Sequence, residues 1–240
     1  GRWSKLAGSL ATAGHLSCEQ RAHVEHRLLQ SVQARKDGYR GYVKSETLGH
    51  PTQATHWVTA PSTNVYAAPD IKSLDQNCLS FGSRVSGVPA PNGFLETTAG
   101  FIPIRHLKPA GETLTDIIAV AELFRGTPYL WGGNSRFGID CSGLVQAAML
   151  ACGRPCPGDS GQQERALGQP VTDGSFERGD LLFWKGHVAF VTHSDTLFHA
   201  NAFHMAASYE PLRAAIDRIA AQGDGLVTSH KRLGLVHGAD

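Results

Sequence analysis

A single cysteine stands where an apolar run of helical period begins, and that junction limits what this chain can fold into. Behind Cys141, the residues Leu144, Val145, Ala147, Ala148 and Ala151 recur at helical spacing, and Cys152-Gly153 supplies a stop. The pattern predicts a buried helix from Ser142 to Cys152 with Cys141 at its N-terminus. There the unpaired backbone N–H groups and the positive end of the helix dipole favour a thiolate over a thiol. Asp140 and Ser142 flank the sulfur with a capping oxygen and a small hydroxyl, and Gly132, Gly133, Gly138 and Gly143 let the backbone pass close to a substrate. Without a base nearby, a buried structural cysteine would be the better reading.

The base comes from downstream. Arg178 to Val191 reads as a turn, a strand, a turn at Lys185-Gly186 and a second strand opened by His187. Thr196 to Ala200 is another short apolar strand whose polar member is His199, so both histidines are expected on neighbouring strands of one antiparallel sheet. A cysteine nucleophile needs a base for its proton and a third polar group that orients the base ring. Cys141, His187 and His199 fill those roles in chain order.

These motifs together resemble the NlpC family of papain-like bacterial cell-wall peptidases, over about Thr115 to Leu233. The resemblance rests on Pro128-Tyr-Leu-Trp-Gly-Gly133, Asp140-Cys-Ser-Gly143, Arg178-Gly-Asp-Leu181, Gly186-His-Val188 and Leu197-Phe-His-Ala200. It implies an α+β catalytic domain, with the nucleophile helix packed on an antiparallel sheet that carries the two histidines. It also implies hydrolysis of peptide bonds in the peptidoglycan stem, typically between γ-D-glutamate and the diamino acid. No metal or other cofactor is expected, and the partner is a stem peptide or muropeptide.

Tyr129 and Trp131 alternate just ahead of the cysteine. A Tyr129 hydroxyl there could donate to a developing oxyanion together with the backbone N–H of Cys141, and packing beneath the cysteine turn is the alternative for both aromatics. The loop Cys156 to Gln163 holds Asp159 and Ser160. It resembles the segment that, in relatives recognising a free L-alanine amine, supplies a carboxylate to the ammonium; the same residues also make a good turn and cap for a helix over Gln162 to Leu167. Asp140 is either a substrate contact or only a helix cap, and Ser142 is grouped with it.

The preceding 110 residues are rich in short β-type segments punctuated by glycine and proline. Asn64 to Pro69 resembles the opening strand and turn of a bacterial SH3-like barrel, while Asp37 to Val43 and Gly100 to Ile104 resemble closing strands. One or two such modules often precede this peptidase core. The organisation expected is a divergent or incomplete SH3-like module at 1–50, an SH3-like module at 52–109 and the peptidase domain at 113–240. In relatives that demand free L-alanine, groups from the barrel region contact the amine. Glu46 and Tyr66 are the candidates here, against a solvated glutamate and a packed tyrosine.

Composition narrows the partners. With 22 basic and 21 acidic side chains the net charge is +1, so no electrostatic argument points to nucleic acid or an anionic membrane surface. No apolar run reaches the roughly 18 residues of a membrane-spanning helix. An odd count of five cysteines, Cys18, Cys78, Cys141, Cys152 and Cys156, favours a reducing compartment, hence the cytoplasm, with export the alternative if a leader has been removed. Cys152 and Cys156 lack a second pair at ligand spacing, and His23 and His26 lack a companion cluster, so neither is read as a metal site.

At the chain's ends, Thr115 to Phe124 reads as an amphipathic helix capped by Thr115, Glu210 to Ala221 as a helix opened by Pro211, and Leu226 to Leu233 as a closing strand. Neither of the last two is given a catalytic role, and His193, His204 and His230 are read as surface or structural. The expected activity is that of a cysteine endopeptidase acting on stem peptides with free L-alanine, as in murein peptide recycling. Its competitors are an amidase of the related cysteine-histidine class and a catalytically silent wall-binding protein.

Overall fold

The computed structural model describes residues 29–49 and 52–234. Most of the expected 1–50 module, with Cys18, His23 and His26, lies outside the described residues. The chain divides into two compact units, residues 1–113 with 134–137, and residues 114–133 with 138–240.

The first unit is all strand, apart from three short 3-10 turns. β1 (Leu29–Gln33) and β2 (Arg40–Lys44) form an antiparallel hairpin. β3 (His56–Val58) is flanked by β10 (Leu107–Pro109) and β6 (Arg84–Val85) in a three-stranded sheet. The remaining strands are β4 (Ser62–Tyr66), β5 (Asp75–Ser80), β7 (Gly87–Ala90), β8 (Phe94–Thr97) and β9 (Gly100–Pro103), in a five-stranded sheet of order β5-β4-β9-β8-β7. β4 shows why these segments become strands: Thr63 and Val65 are buried while Asn64 between them is exposed, the period-2 signature of a sheet with one covered face. Val58, Val65, Leu95, Ile102 and Leu107 close the core. The strands expected around Asn64, Asp37 and Gly100 are present, but among the described residues the ladders form separate sheets, not one closed barrel sheet.

The second unit begins with α1 (Ile117–Glu122). Its cap is Asp116, which accepts from the backbone N–H groups of Ile118 and Ala119, rather than Thr115. A carboxylate one residue further along satisfies two orphan donors at once and sets the helix start there. β11 (Asn134–Ser135) is grouped with the first unit, and in the second β12 (Gly138–Ile139) leads to α2 (Cys141–Ala151). α3 (Ser160–Ala166) follows, and then the six-stranded sheet β13-β18-β14-β15-β16-β17. Its strands are β13 (Gln169–Pro170), β14 (Leu181–Trp184), β15 (His187–His193), β16 (Thr196–Asn201), β17 (Ala206–Pro211) and β18 (Ser229–Arg232), with α4 (Leu212–Ala221) between the last two.

β14 to β16 do not alternate, because both faces are covered: every residue of Leu181-Leu-Phe-Trp184 is buried. Leu182, Trp184, Ala189, Val191 and Leu197 pack with Leu212, Ala215 and Ile219 of α4, while α2 lies against β15 and β16. Glu210 lies in a strand instead of opening the last helix, which starts at Leu212 after Pro211. Proline lacks the N–H that a helix interior needs, so the turn falls there. The buried Asp180 ties the edge together: its carboxylate accepts from Arg232 through both oxygens, from His230 Nε2 and from the Glu177 N–H. No helix among the described residues is long and apolar enough to cross a membrane.

Candidate active site

Cys141 is the first residue of α2, which starts one residue earlier than expected, and it is buried. The preceding loop is pinned by Asp140. One oxygen of its carboxylate accepts from the Gly143 N–H at 2.6 Å and from Ser142 Oγ at 3.1 Å, and the other from the Gly132 N–H at 2.8 Å. Asp140 and Ser142, both buried, thus brace the nucleophile turn. Close approach does the rest: a Cβ on Gly133 would lie 2.5 Å from the Gly138 carbonyl oxygen. Gln163, fully buried on α3, donates through Nε2 to the carbonyls of Ser142 and Pro157, clamping the first turn of α2 from the other side.

Across the cleft, the turn joining β14 to β15 places Gly186 at φ +80°, a conformation that disfavours any side chain. Its carbonyl lies 3.9 Å from Cys141 Sγ, so the sulfur sits beside the residue that precedes His187. Side chains two apart on a strand share a face. His187 therefore points with Ala189 and Val191, and His199 with Leu197, toward the α4 side. There His187 Nε2 and His199 Nδ1 are 2.8 Å apart, and His199 Nε2 lies 3.0 Å from Glu210 Oε2. Arg218 on α4 completes the row, donating through Nε to Glu210 Oε1 and through Nη2 to Glu210 Oε2, each at 2.8 Å.

The electrostatics follow from this row. Burial first, and then the neighbouring His199 and Arg218, push His187 from 6.5 to about 3, so its ring is neutral at neutral pH in the resting site. A thiolate on Cys141 would act against that shift. Burial also lowers His199, against the pull of Glu210. Burial would raise the Glu210 carboxyl, but the hydrogen bonds and charges of Arg218 and His199 overcome it and hold it at about 2. Tyr129, half-buried, is pushed up to about 12 by burial and then by the charges of Cys141 and Asp140, so its hydroxyl remains a donor.

The structure pairs His187 with His199 on neighbouring strands and sets the Cys141 sulfur beside Gly186, the residue before His187, with Tyr129 close enough to sense the sulfur's charge. Trp131 is exposed, three-fifths of its surface open. Asp159 occupies the N-cap position of α3 without a capping side-chain bond, and Ser160 is the helix's first residue. Glu46 and Tyr66 belong to the first unit: Glu46 is exposed in a 3-10 turn, 3.6 Å from the Lys44 ammonium, and Tyr66 packs edge-on against Phe94. Sequence reading missed Glu210 and Arg218. Glu210, His199 and His204 lie within reach of a common cation, yet the Arg218 guanidinium already neutralises both Glu210 oxygens, so the group is a hydrogen-bonded set.

Cys141 at a helix N-terminus lies beside the turn that leads into His187, and a second buried histidine is hydrogen-bonded to the His187 ring. Residues 126–216 match the NlpC/P60 family model. Among curated relatives, a γ-D-glutamyl-L-lysine dipeptidyl-peptidase of Bacillus subtilis is 32% identical over 174 residues, covering 65% of this chain and 56% of its own length. A dipeptidyl-peptidase 6 of Lysinibacillus sphaericus is 37% identical over 86 residues, covering 36% of this chain and 32% of its own. The chain thus spans about half of the first and a third of the second. In the crystal structure of an NlpC/P60 family protein from Bacillus cereus, the fold matches over 85% of this chain and 79% of that one, at a TM-score of 0.67 and 20% identity.

Proposed function

We propose that the protein is a cysteine endopeptidase that cleaves the γ-D-glutamyl–diamino acid bond of peptidoglycan stem peptides bearing a free N-terminal L-alanine. The observation that carries this reading is the row of Cys141, His187 and His199, set on a helix start and two adjacent strands. The name of the Bacillus subtilis relative, with its γ-D-glutamyl specificity, supports the choice of bond.

In the mechanism, His187 takes the Cys141 proton and the thiolate attacks the γ-carbonyl carbon of D-glutamate. The oxyanion is met by the Tyr129 hydroxyl and the Cys141 backbone N–H, donors commonly worth about 3 kcal/mol each when aimed at the transition state. Collapse expels the diamino acid's amine, which takes its proton from His187 and leaves a γ-glutamyl thioester on Cys141. Water then attacks the thioester with His187 as base, and the thiol is restored. His199 keeps the His187 ring in register throughout. Asp159, at the N-cap position of α3, is the candidate partner of the substrate ammonium, by its resemblance to the segment that supplies a carboxylate in amine-recognising relatives. We read residues 52–109 as an SH3-like module, on the strength of the strand pattern around Asn64 and Gly100. A substrate with a free amine suits recycling of released wall fragments in the cytoplasm.

The test is product analysis by mass spectrometry of L-Ala-γ-D-Glu-diaminopimelate, free and N-acetylated, with wild type and Cys141→Ala. Release of diaminopimelate from the free peptide alone, and by wild type alone, is the expected result. Cleavage of both peptides removes the amine requirement. Cleavage of neither, with muropeptides losing their sugar, makes the protein an amidase.

A further inference from the structure

The row of side chains does not end at His199, and its far end determines which nitrogens carry the protons. Glu210 ends up at the α4 side because β17 pairs in register with β16, setting Leu197 opposite Glu210 and His199 opposite Ser208. Arg218 projects from α4 onto both carboxylate oxygens and is further fixed by donating to Gln222 Oε1 at 2.8 Å, with the Phe203 ring over its guanidinium at 4.4 Å. A guanidinium can only donate, so it keeps Glu210 an acceptor on both oxygens.

We infer that Glu210, gripped by Arg218, is a positioning residue that sets the tautomer of His199 and, through it, directs the free lone pair of His187 at Cys141. The reasoning runs along the row. An ionised Glu210 accepts only, so the proton of neutral His199 is on Nε2, and Nδ1 carries the lone pair. That lone pair must accept from His187 Nε2, 2.8 Å away, so the proton of neutral His187 is on Nε2. Nδ1 of His187 is then the basic nitrogen, and it is the one not spent on His199. When His187 takes the thiol proton, its Nε2–H donates to the same acceptor, so the row serves the neutral ring and the imidazolium equally. A chain with a donor at position 210 would reverse both tautomers and place an N–H of His187 where the base is needed. The groups that bear on His199 are His187 from β15, Glu210 from β17, Arg218 from α4 and His204 from the turn after β16.

This inference rests on the thiol–imidazole reading of the same site, but the experiment separates the two because it needs no substrate. Long-range proton–nitrogen NMR of the full chain labelled with 15N-histidine distinguishes Nδ1–H from Nε2–H rings. Wild type is expected to show Nε2–H for both His187 and His199 at neutral pH. Glu210→Gln cannot satisfy both the Arg218 donors and His199 as an acceptor, and its amide N–H facing His199 Nε2 is expected to turn that ring to Nδ1–H. On a substrate peptide the variant should lose about 10²-fold or more in kcat with KM within about twofold, as expected of a misdirected base. Wild type already showing Nδ1–H on His199 would overturn the inference whether or not the variant folds. So would a folded Glu210→Gln protein with both rings unchanged, whatever its rate. Reversed tautomers in a protein that cuts no stem peptide would sustain the inference and sink the substrate assignment instead.

Discussion

The two units of this protein spend their buried polar groups differently. In the strand-only unit the buried polar residues described are Thr63, Ser80 and Ser83, small hydroxyls, together with the Asp37 side chain, 2% exposed and paired with the adjacent Lys36, and the apolar core is Val58, Val65, Leu95, Ile102 and Leu107. In the second unit they include Asp140, Gln163, Asp180, His199 and Glu210, groups costly to desolvate unless each finds partners. Asp140, Asp180, His199 and Glu210 do, and so does the Gln163 amide nitrogen while its Oε1 finds no hydrogen-bond partner among the described residues; these partnerships hold a backbone turn or a ring in place around Cys141 or along the sheet that carries the histidines. One unit uses its core to keep strands together; the other uses it to hold reactive groups at fixed angles.

The largest effect that would break this contrast concerns the two units' own cysteines. Cys141→Ala should lower peptide hydrolysis by at least about 10³-fold, as loss of a nucleophile does. Cys78→Ala, in the exposed β5, should leave the rate within twofold. Steady-state rates on the tripeptide with both proteins check it, and equal losses would mean that the burial pattern has nothing to do with catalysis.

A smaller effect sharpens the role of the half-buried Tyr129. Its hydroxyl is held protonated, so Tyr129→Phe should cost about 10²-fold in kcat with little change in KM, the signature of a donor used only in the transition state. An unchanged kcat would reduce Tyr129 to packing.

The smallest effect is on stability. His187 titrates at about 3 in the folded protein, below its unfolded value, so the unfolded chain binds the extra proton first as pH falls. Its contribution is fully present above about pH 6.5 and is lost between there and about pH 3. Denaturant unfolding of the full chain at a series of pH values should show a steeper decline in wild type than in His187→Gln, by up to one proton's worth of slope. Parallel curves would show that His187 is not desolvated in the folded state.

Much of the catalytic unit was legible in its sequence, for local reasons. Cys141 was betrayed by the helical period starting behind it, His187 by the Lys185-Gly186 turn in front of it, and His199 by being the polar member of an apolar strand. Glu210 and Arg218 escaped because the helical pattern was extended back through Pro211, which made Glu210 the first residue of a helix and Arg218 part of a solvated face. Their meeting depends on β17 pairing with β16, and pairing between segments is not written in either alone. The cap at Asp116 was misplaced to Thr115 because both residue types cap well, and only the geometry shows which one reaches two N–H groups. In the first unit the strands could be read from alternation, as around Val65. How their ladders join could not, since closure is a property of strands distant in sequence.

The most direct test of the central claim, that the fold activates Cys141 in particular, is competitive alkylation by iodoacetamide at pH 6 with the modified cysteines mapped by peptide mass spectrometry. Cys141 is nearly buried and Cys78 is exposed, so accessibility alone favours Cys78. A thiol at the α2 N-terminus with His187 as its base should react first nonetheless, and His187→Gln should slow that labelling markedly. If Cys78 is labelled first, or if His187→Gln labels Cys141 as fast as wild type, the account of the site is contradicted.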